Sequence, residues 1–338
     1  MKTSVCNADT AGIMEAARVI QNGGLAAFPT ETVYGLGADA VNQSAVERIY
    51  HVKGRPDDNP LILHILDRSQ FYRLTDNTPD YCERLMEAFW PGPLTIVAYK
   101  KSDVPDWGTA GLPTIAIRAP SNETARLLLK YAGTPVFAPS ANLSGRPSPT
   151  AAAHVLQDLD GKIDVILDGG PCTCGLESTV VDVTGDMPRI LRPGFITADM
   201  ICEKIGLLPE PETSSGKPKA PGMKYRHYAP KAGVTVVNGP PKDAAAHINS
   251  LAGGVRGRAG ILATDQTIDM YDPKKHFILN AGDRTRPETI GAGLFAALRA
   301  FDAANVDAIF AEGIPETGVG AAVMNRLSKA AGGRVINL

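Results

Sequence analysis

The stretch VTVVNGPPKDAAAHINSLAGGVRGRAGILA at residues 234–263 reads as a strand, a helix and a second strand. Val234 to Val237 and Ala259 to Ala263 are short runs of the buried type, and Asp243 to Leu251 between them has helix-forming composition. The alternation continues downstream. His276 to Asn280 and Ala308 to Ala311 read as further strands, and Thr289 to Ala304 and Ala321 to Ala330 as helices. Strands separated by helices of this length predict a small parallel α/β sandwich of Rossmann-like topology.

Immediately upstream, residues 208–232 read LPEPETSSGKPKAPGMKYRHYAPKA, whose prolines and glycines block regular structure and mark an interdomain linker. Its second half is more than a spacer: Lys224, Tyr225, Arg226, His227 and Tyr228 are large polar or aromatic residues that a plain tether does not need. Upstream of the linker, helices are expected over Ala11–Gln21 (stopped by Gly23-Gly24), Ala45–Val52, Pro79–Phe89, Asn122–Tyr131 and Thr150–Leu156. Strands are expected over Leu25–Phe28, Leu61–Ile65, Leu94–Tyr99, Thr114–Arg118, Val136–Ala138, Val165–Leu167 and Thr179–Val183.

The whole chain has 338 residues, which suits two domains, and its 44% hydrophobic and 21% charged content is ordinary for a globular protein. No apolar run approaches the ~18–20 residues that span a bilayer, and Met1 to Thr10 lacks a signal-peptide layout, so a cytoplasmic protein without a membrane partner is expected. Five scattered cysteines, with Cys172 and Cys174 too close for a usual metal pair, predict reduced thiols and no protein-held metal. A net charge of −2 argues against a dominant nucleic-acid footprint.

No P-loop, HExxH or GxSxG pattern occurs. Gly35 to Ala40 fits a loose dinucleotide fingerprint but lacks an acidic ribose partner, and a tight turn at a strand end explains it as well. The chemistry concentrates instead in four segments where polar residues, Gly and Pro adjoin apolar strands: PTETVYGLG at 29–37; KGRP at 53–56 with Asn59, Pro60 and His64; APSANLSG at 138–145; and LEST at 176–179 with RPG at 192–194. Lys53 and Arg55, two apart in an extended loop, should point the same way and suit a polyphosphate; taken alone, they are solvated charges at a helix end. Ser140 and Asn142 repeat that spacing, and taken alone are turn formers. His64, alone, is a satisfied core histidine. Glu31 and Glu177 read as loop-ordering residues, and Trp90 with its prolines as a packing corner.

Taken together these segments resemble the YrdC-type threonylcarbamoyl-AMP synthases. The resemblance runs over residues 1–205 through PTETVYGLG (29–37), KGRPDDNPL (53–61), FWPGPLT (89–95), TIAIRAP (114–120), PSANLSG (139–145), GLESTVVD (175–182) and LRPG (191–194). PGMKYRHYAP (221–230) and the second α/β domain resemble the longer branch of that family. The resemblance implies a YrdC-like twisted mixed-sheet catalytic domain (1–207), a linker or lid (208–232) and a smaller Rossmann-like α/β domain (233–338). It implies that L-threonine, bicarbonate or CO2, and ATP give L-threonylcarbamoyl-adenylate and pyrophosphate, the first step of threonylcarbamoyl-adenosine modification of tRNA. It further implies magnesium with ATP, and transient contact with tRNA threonylcarbamoyl-transferase proteins and tRNA. On the matching positions, Lys53, Arg55, Ser140 and Asn142 are the signature tetrad. Thr32, His64, Arg118, Ala138 and Ser178 match positions that hold threonine; Arg55, Asn59, Thr114, Ser140, Ser148 and Arg192 match positions that hold ATP, with Tyr228 of the linker string, or else Tyr225, as the remaining nucleotide contact. No covalent enzyme intermediate is required, and residues 221–230 are expected to form a lid that keeps water from the labile carbamate. Two other readings compete: an RNA-binding module using the same basic residues, and a carbamoyl-adenylate-handling domain of a maturation factor, which normally sits in a much longer chain with zinc-type cysteine motifs.

Overall fold

A computed structural model describes residues 2–211 and 227–338, which divide into two compact units. Gly145–Pro147 and Cys174–Leu176 group with residues 227–338 in the second unit; the other described residues form the first. Most of the strip 221–230 therefore lies outside the described residues.

In the first unit the elements run β1 (Ser4–Asn7), α1 (Thr10–Gln21), β2 (Ala26–Phe28), β3 (Gly35–Asp39), α2 (Gln43–Lys53), β4 (Ile62–His64), α3 (Arg68–Leu74), β5 (Thr75–Asp76), α4 (Asp80–Phe89), β6 (Leu94–Lys100), β7 (Thr114–Arg118), α5 (Glu123–Ala132), β8 (Val136–Phe137), α6 (Ala152–Leu159), β9 (Val165–Asp168), β10 (Thr179–Asp182), β11 (Arg189–Arg192), α7 (Ala198–Ile205) and β12 (Glu210–Pro211). The strands form one mixed sheet in the order β1-β9-β2-β3-β8-β4-β7-β6-β10-β11-β12, with β5 beside β6. Side chains alternate across the pleat, and that alternation makes the site. Leu63, Ile117, Ile96 and Val181, each at most 2% exposed, point into the main core with α2, α4, α6 and α7. Each such burial contributes about 1.5–3 kcal/mol. Their neighbours Ile62, Ala116, Val97 and Val180 point the other way and join Leu191 in a separate apolar patch. The helices α1 and α5 pack on β2, β8 and β9 in a third cluster.

The second unit contains β13 (Gly233–Asn238), α8 (Pro241–Gly253), β14 (Ala259–Ala263), a 3-10 turn (Ile268–Met270), β15 (Phe277–Asn280), α9 (Pro287–Ala303), β16 (Ala308–Glu312), α10 (Val319–Ala331) and β17 (Val335–Asn337). The strand order is β15-β14-β16-β13-β17 and every pairing is parallel, the Rossmann-like arrangement that the alternation predicted.

Three expectations are corrected. Gly35 to Asp39 is no turn but β3, an internal strand between β2 and β8. Its glycines serve packing: a Cβ on Gly37 would meet the Phe28 ring at 2.8 Å and Val136 at 2.9 Å. The stretch from Leu208 is not free of regular structure, since β12 pairs with β11 and Arg189 bonds Glu210 at 2.6 Å. Finally, Lys53 and Arg55 do not share an extended loop. Lys53 ends α2, and Gly54, left-handed at φ 60°, turns the chain before Arg55. The short strands β1, β5, β11, β12 and β17, and α3 and α7, were not anticipated, because their patterns are too brief to show a period.

Candidate functional site

Strand register brings the separated motifs together. His64 on β4 pairs with Arg118 on β7 and with Val136 on β8. On the other side of β7, Ile96 pairs with Ile117, so Thr95 comes next in line opposite Arg118; Thr95 and Arg192 both pair with Val180. Residues opposite one another share a face. His64, Arg118, Thr95 and Arg192 thus form a polar row on the face that also carries the Ile62–Ala116–Val97–Val180–Leu191 patch.

Arg118 is 4% exposed and is the centre of that row. Its Nη1 donates to Thr32 Oγ1 at 2.7 Å, its Nε to the Gly92 carbonyl at 3.3 Å, and its Nη2 lies 2.7 Å from Glu31 Oε1. Burial would raise the Glu31 carboxyl, but the Arg118 charge and hydrogen bond outweigh it and hold Glu31 below the usual carboxylate range. The pair is therefore ionised. A guanidinium carries five N–H donors, and three protein acceptors leave two of them for another partner.

His64 is 3% exposed. Burial first, and the Arg118 charge second, push its pKa down to about 3, so the ring is neutral at pH 7. Nδ1–H can donate to the Ile62 carbonyl at 3.3 Å, which leaves Nε2 as an acceptor. The pH consequence has a definite sign. Unfolded histidine protonates near pH 6.5 and folded His64 only near 3, so the unfolded state binds the extra proton in between and stability falls as pH drops through that window. Between pH 7 and pH 5 His64 should cost about 2 kcal/mol of stability. Urea unfolding of wild type and His64→Gln at both pH values checks this; equal losses in the two proteins would refute it.

Ser178, just before β10, donates to or accepts from Thr95 Oγ1 at 2.7 Å. Arg192 Nη2 donates to the Ser178 carbonyl at 2.9 Å and to its Oγ at 3.1 Å. Ser148 Oγ donates to Glu177 Oε1, which ties that loop to the residue before Ser178. Glu31 and Glu177 both order loops, as read from the sequence; Thr95 was missed, because a lone threonine inside an apolar strand gives no signal.

A second cluster surrounds Lys53. It is buried, at 3% exposure, and its Nζ donates to the carbonyls of Ser140 and Asn142, so it is not a solvated charge. The Ser144 amide returns a bond to the Lys53 carbonyl at 2.9 Å. Ser140 bridges to Gly35, Ala138 N–H donates to the Ile62 carbonyl at 2.9 Å, and Asn142 Nδ2 donates to the Leu143 carbonyl at 2.8 Å. Arg55 folds over the next turn, with Nε on the Asn59 carbonyl at 3.0 Å and Nη2 on the Pro60 carbonyl at 2.8 Å. Asn59 is 2% exposed and its Oδ1 is buried without a hydrogen-bond partner. Thr114 opens β7 opposite Tyr99.

The loop between β2 and β3 connects the two clusters. Thr32 bonds Arg118, the Tyr34 amide bonds the Pro149 carbonyl, and the Ala141 and Leu36 amides bond the Tyr34 and Pro139 carbonyls at 2.8 Å each. Thr30 Oγ1 braces the loop through Thr32 Oγ1 at 2.8 Å and the Val33 carbonyl at 2.7 Å. Tyr228 belongs to the second unit. It is 5% exposed with φ 63°, its ring stacks on Phe295 at 5.1 Å, and the Arg326 guanidinium sits 5.8 Å from it. Among the described residues no group of three or more His, Cys, Asp or Glu is placed to hold a metal ion, and no helix is long and apolar enough to cross a membrane.

The family model described as "Telomere recombination" matches residues 18–194, and the one described as "Threonylcarbamoyl-AMP synthase, C-terminal domain" matches residues 196–332. The chain is 49% identical to a threonylcarbamoyl-AMP synthase of Bacillus subtilis over 96% of its own length and 94% of the relative's. It is 47% identical to one of Pyrococcus abyssi, covering 96% and 95%. A solved structure of P. abyssi Sua5 complexed with L-threonine superposes with a TM-score of 0.94 at 44% identity, over 99% of this chain and 100% of that one. With both domains matched across nearly the full length, this chain belongs to the threonylcarbamoyl-AMP synthase family.

Proposed function

We propose that the polar row and the Lys53 cluster of the first unit bind L-threonine and ATP and join them through CO2 as L-threonylcarbamoyl-adenylate. The observation that carries this reading is Arg118: a buried guanidinium fixed on one side by Glu31, Thr32 and Gly92, with two N–H donors left for a carboxylate. The P. abyssi relative solved with L-threonine supports it. Arg118 clamps the threonine carboxylate, His64 Nε2 and the Thr32 and Ser178 hydroxyls take its amine and hydroxyl, and Ala138 leaves room for its methyl group. Lys53 holds the 139–144 loop, and Arg55, Asn59, Thr114, Ser140, Asn142, Ser148 and Arg192 face ATP.

In the reaction the threonine nitrogen attacks CO2 and gives up a proton. A carbamate oxygen then attacks the α-phosphorus, and the bond to the β-phosphate breaks with pyrophosphate leaving. The protein's part is to align the reactants and to offset phosphate charge with fixed cations, mainly Arg55 and Arg192. Glu31 and Glu177 are engaged by Arg118 and Ser148 rather than gathered for a cation. Magnesium would be held by the ATP phosphates rather than by these carboxylates, and would supply charge neutralisation there. The product passes to the proteins that modify tRNA in the cytoplasm.

A pyrophosphate-release assay tests the reading. The signal should require both threonine and bicarbonate, and replacing threonine by serine, one methyl smaller, should lower kcat/KM by roughly 10–100-fold. Release that proceeds unchanged without threonine rejects the assignment.

A further inference from the structure

Thr95 and Ser178 are 0% and 1% exposed, and their hydroxyl oxygens lie 2.7 Å apart. Each hydroxyl carries one proton and two lone pairs. Only one of the two protons can occupy the bond between them. The other needs an acceptor of its own, because a buried donor without one is costly. Among the described residues the protein supplies none: Thr95 Oγ1 bonds Ser178 alone, and the other partner of Ser178 Oγ is a donor, Arg192 Nη2 at 3.1 Å. Arg192 is anchored there by the Ser178 carbonyl, which accepts from Nε at 3.1 Å and Nη2 at 2.9 Å. One lone pair of Ser178 is therefore taken. Thr95 lies inside β6, flanked by β7 and β10, where its proton has no direction but Ser178. It fills the second lone pair. The Ser178 O–H is then left to donate into the polar row.

The same count gives Thr32 the opposite character. Thr30 Oγ1 donates to the Val33 carbonyl at 2.7 Å, so in its 2.8 Å pair with Thr32 it must accept. Thr32 thus donates to Thr30, accepts from Arg118 Nη1, and keeps one lone pair. Neutral His64 also offers a lone pair, at Nε2. An ammonium group is a donor only and belongs with Thr32 and His64. An oxygen on the substrate's side chain can accept, and it suits Ser178.

We infer that Thr95 is a positioning residue that fixes Ser178 as a hydrogen-bond donor to the side-chain oxygen of a 3-hydroxy amino acid, and so sets the preference for such substrates. The inference rests on the threonine-binding reading proposed above. A buried donor that only the right substrate satisfies rejects analogues lacking the oxygen. Pyrophosphate release by the full chain, with L-threonine varied, tests it. Thr95→Val keeps the shape of the side chain and deletes the hydroxyl. It should raise the KM for threonine roughly 10-fold and leave kcat near wild type, because the bond to the substrate's side chain is made before and during reaction alike. Thr95→Ser keeps the hydroxyl and loses the methyl group, and should stay near the wild-type KM. A role in packing alone predicts the reverse order of these two variants. Ser178→Ala should raise the KM as well, and adding Thr95→Val to it should raise it no further, since Thr95 acts through Ser178. The inhibition constant of L-valine, which has threonine's shape without its hydroxyl, should not change in Thr95→Val. A wild-type KM in Thr95→Val, a larger defect in Thr95→Ser than in Thr95→Val, or equal weakening of threonine and valine overturns this inference alone. Wild-type release that does not require threonine overturns the reading beneath it too.

Discussion

Replacing Arg118 by methionine will remove threonine-dependent pyrophosphate release and will also destabilise the protein, and the two effects can be separated. Glu31 is 7% exposed and its carboxylate faces Arg118 at 2.7 Å. Without the guanidinium it is a buried charge with no counter-charge, which costs about 3–5 kcal/mol. Adding Glu31→Gln removes that charge, so the double variant should recover most of the lost stability in chemical denaturation. It should not recover activity, because the proposed carboxylate clamp is still missing; kcat/KM for threonine should stay down by on the order of 10²–10³-fold. Arg118→Lys should sit near the methionine variant, since an ammonium cannot serve Thr32, Glu31, Gly92 and a substrate carboxylate in one plane. A double variant that kept a normal KM and kcat for threonine would remove Arg118 from the substrate site.

The second large effect belongs to Lys53. Its ammonium joins the end of α2 to the carbonyls of Ser140 and Asn142, and the Ser144 amide closes the link in return. Lys53→Met keeps the length of the side chain and deletes two charge-assisted hydrogen bonds. The expected cost is about 2–4 kcal/mol, read as a shift in urea midpoint. Turnover should fall by about 10²-fold, because a loop displaced by ~1 Å misaligns Ser140 and Asn142, which the proposed reading sets against ATP. The loss should show in the KM for ATP more than in the KM for threonine, since the proposed threonine row on β4, β7 and β6 meets this loop only indirectly, through the Ala141–Tyr34 bond to the β2–β3 loop and the Ala138 bond to Ile62. Wild-type stability and turnover in Lys53→Met would show that the link is incidental.

The second unit was legible from residues 234–311 alone, because buried parallel strands are short apolar runs separated by helices and each element contains its own signal. The same holds for α1, α4, α5 and most internal strands of the first unit. Glycine misled at β3: Gly35 and Gly37 looked like a turn because the reason for them, the Phe28 ring and Val136 pressing on the backbone, lies in other segments. Lys53 misled in a similar way. A lysine at a helix end is usually solvated, and only the fold places a loop from 87 residues downstream over it.

The residue types of the site and the strings that contain them were written in the chain, and they pointed to phosphate and carboxylate chemistry before any coordinate was known. What tertiary structure alone decided was register. Pairing His64 with Arg118, and setting Thr95 and Arg192 on the same face, turns polar residues from distant segments into one row beside an apolar patch. Sequence reveals local period because side-chain direction is set by neighbouring backbone. It does not reveal which strands pair, or that one arginine will be held by a glutamate 87 positions before it, because those choices are settled by packing of the whole sheet.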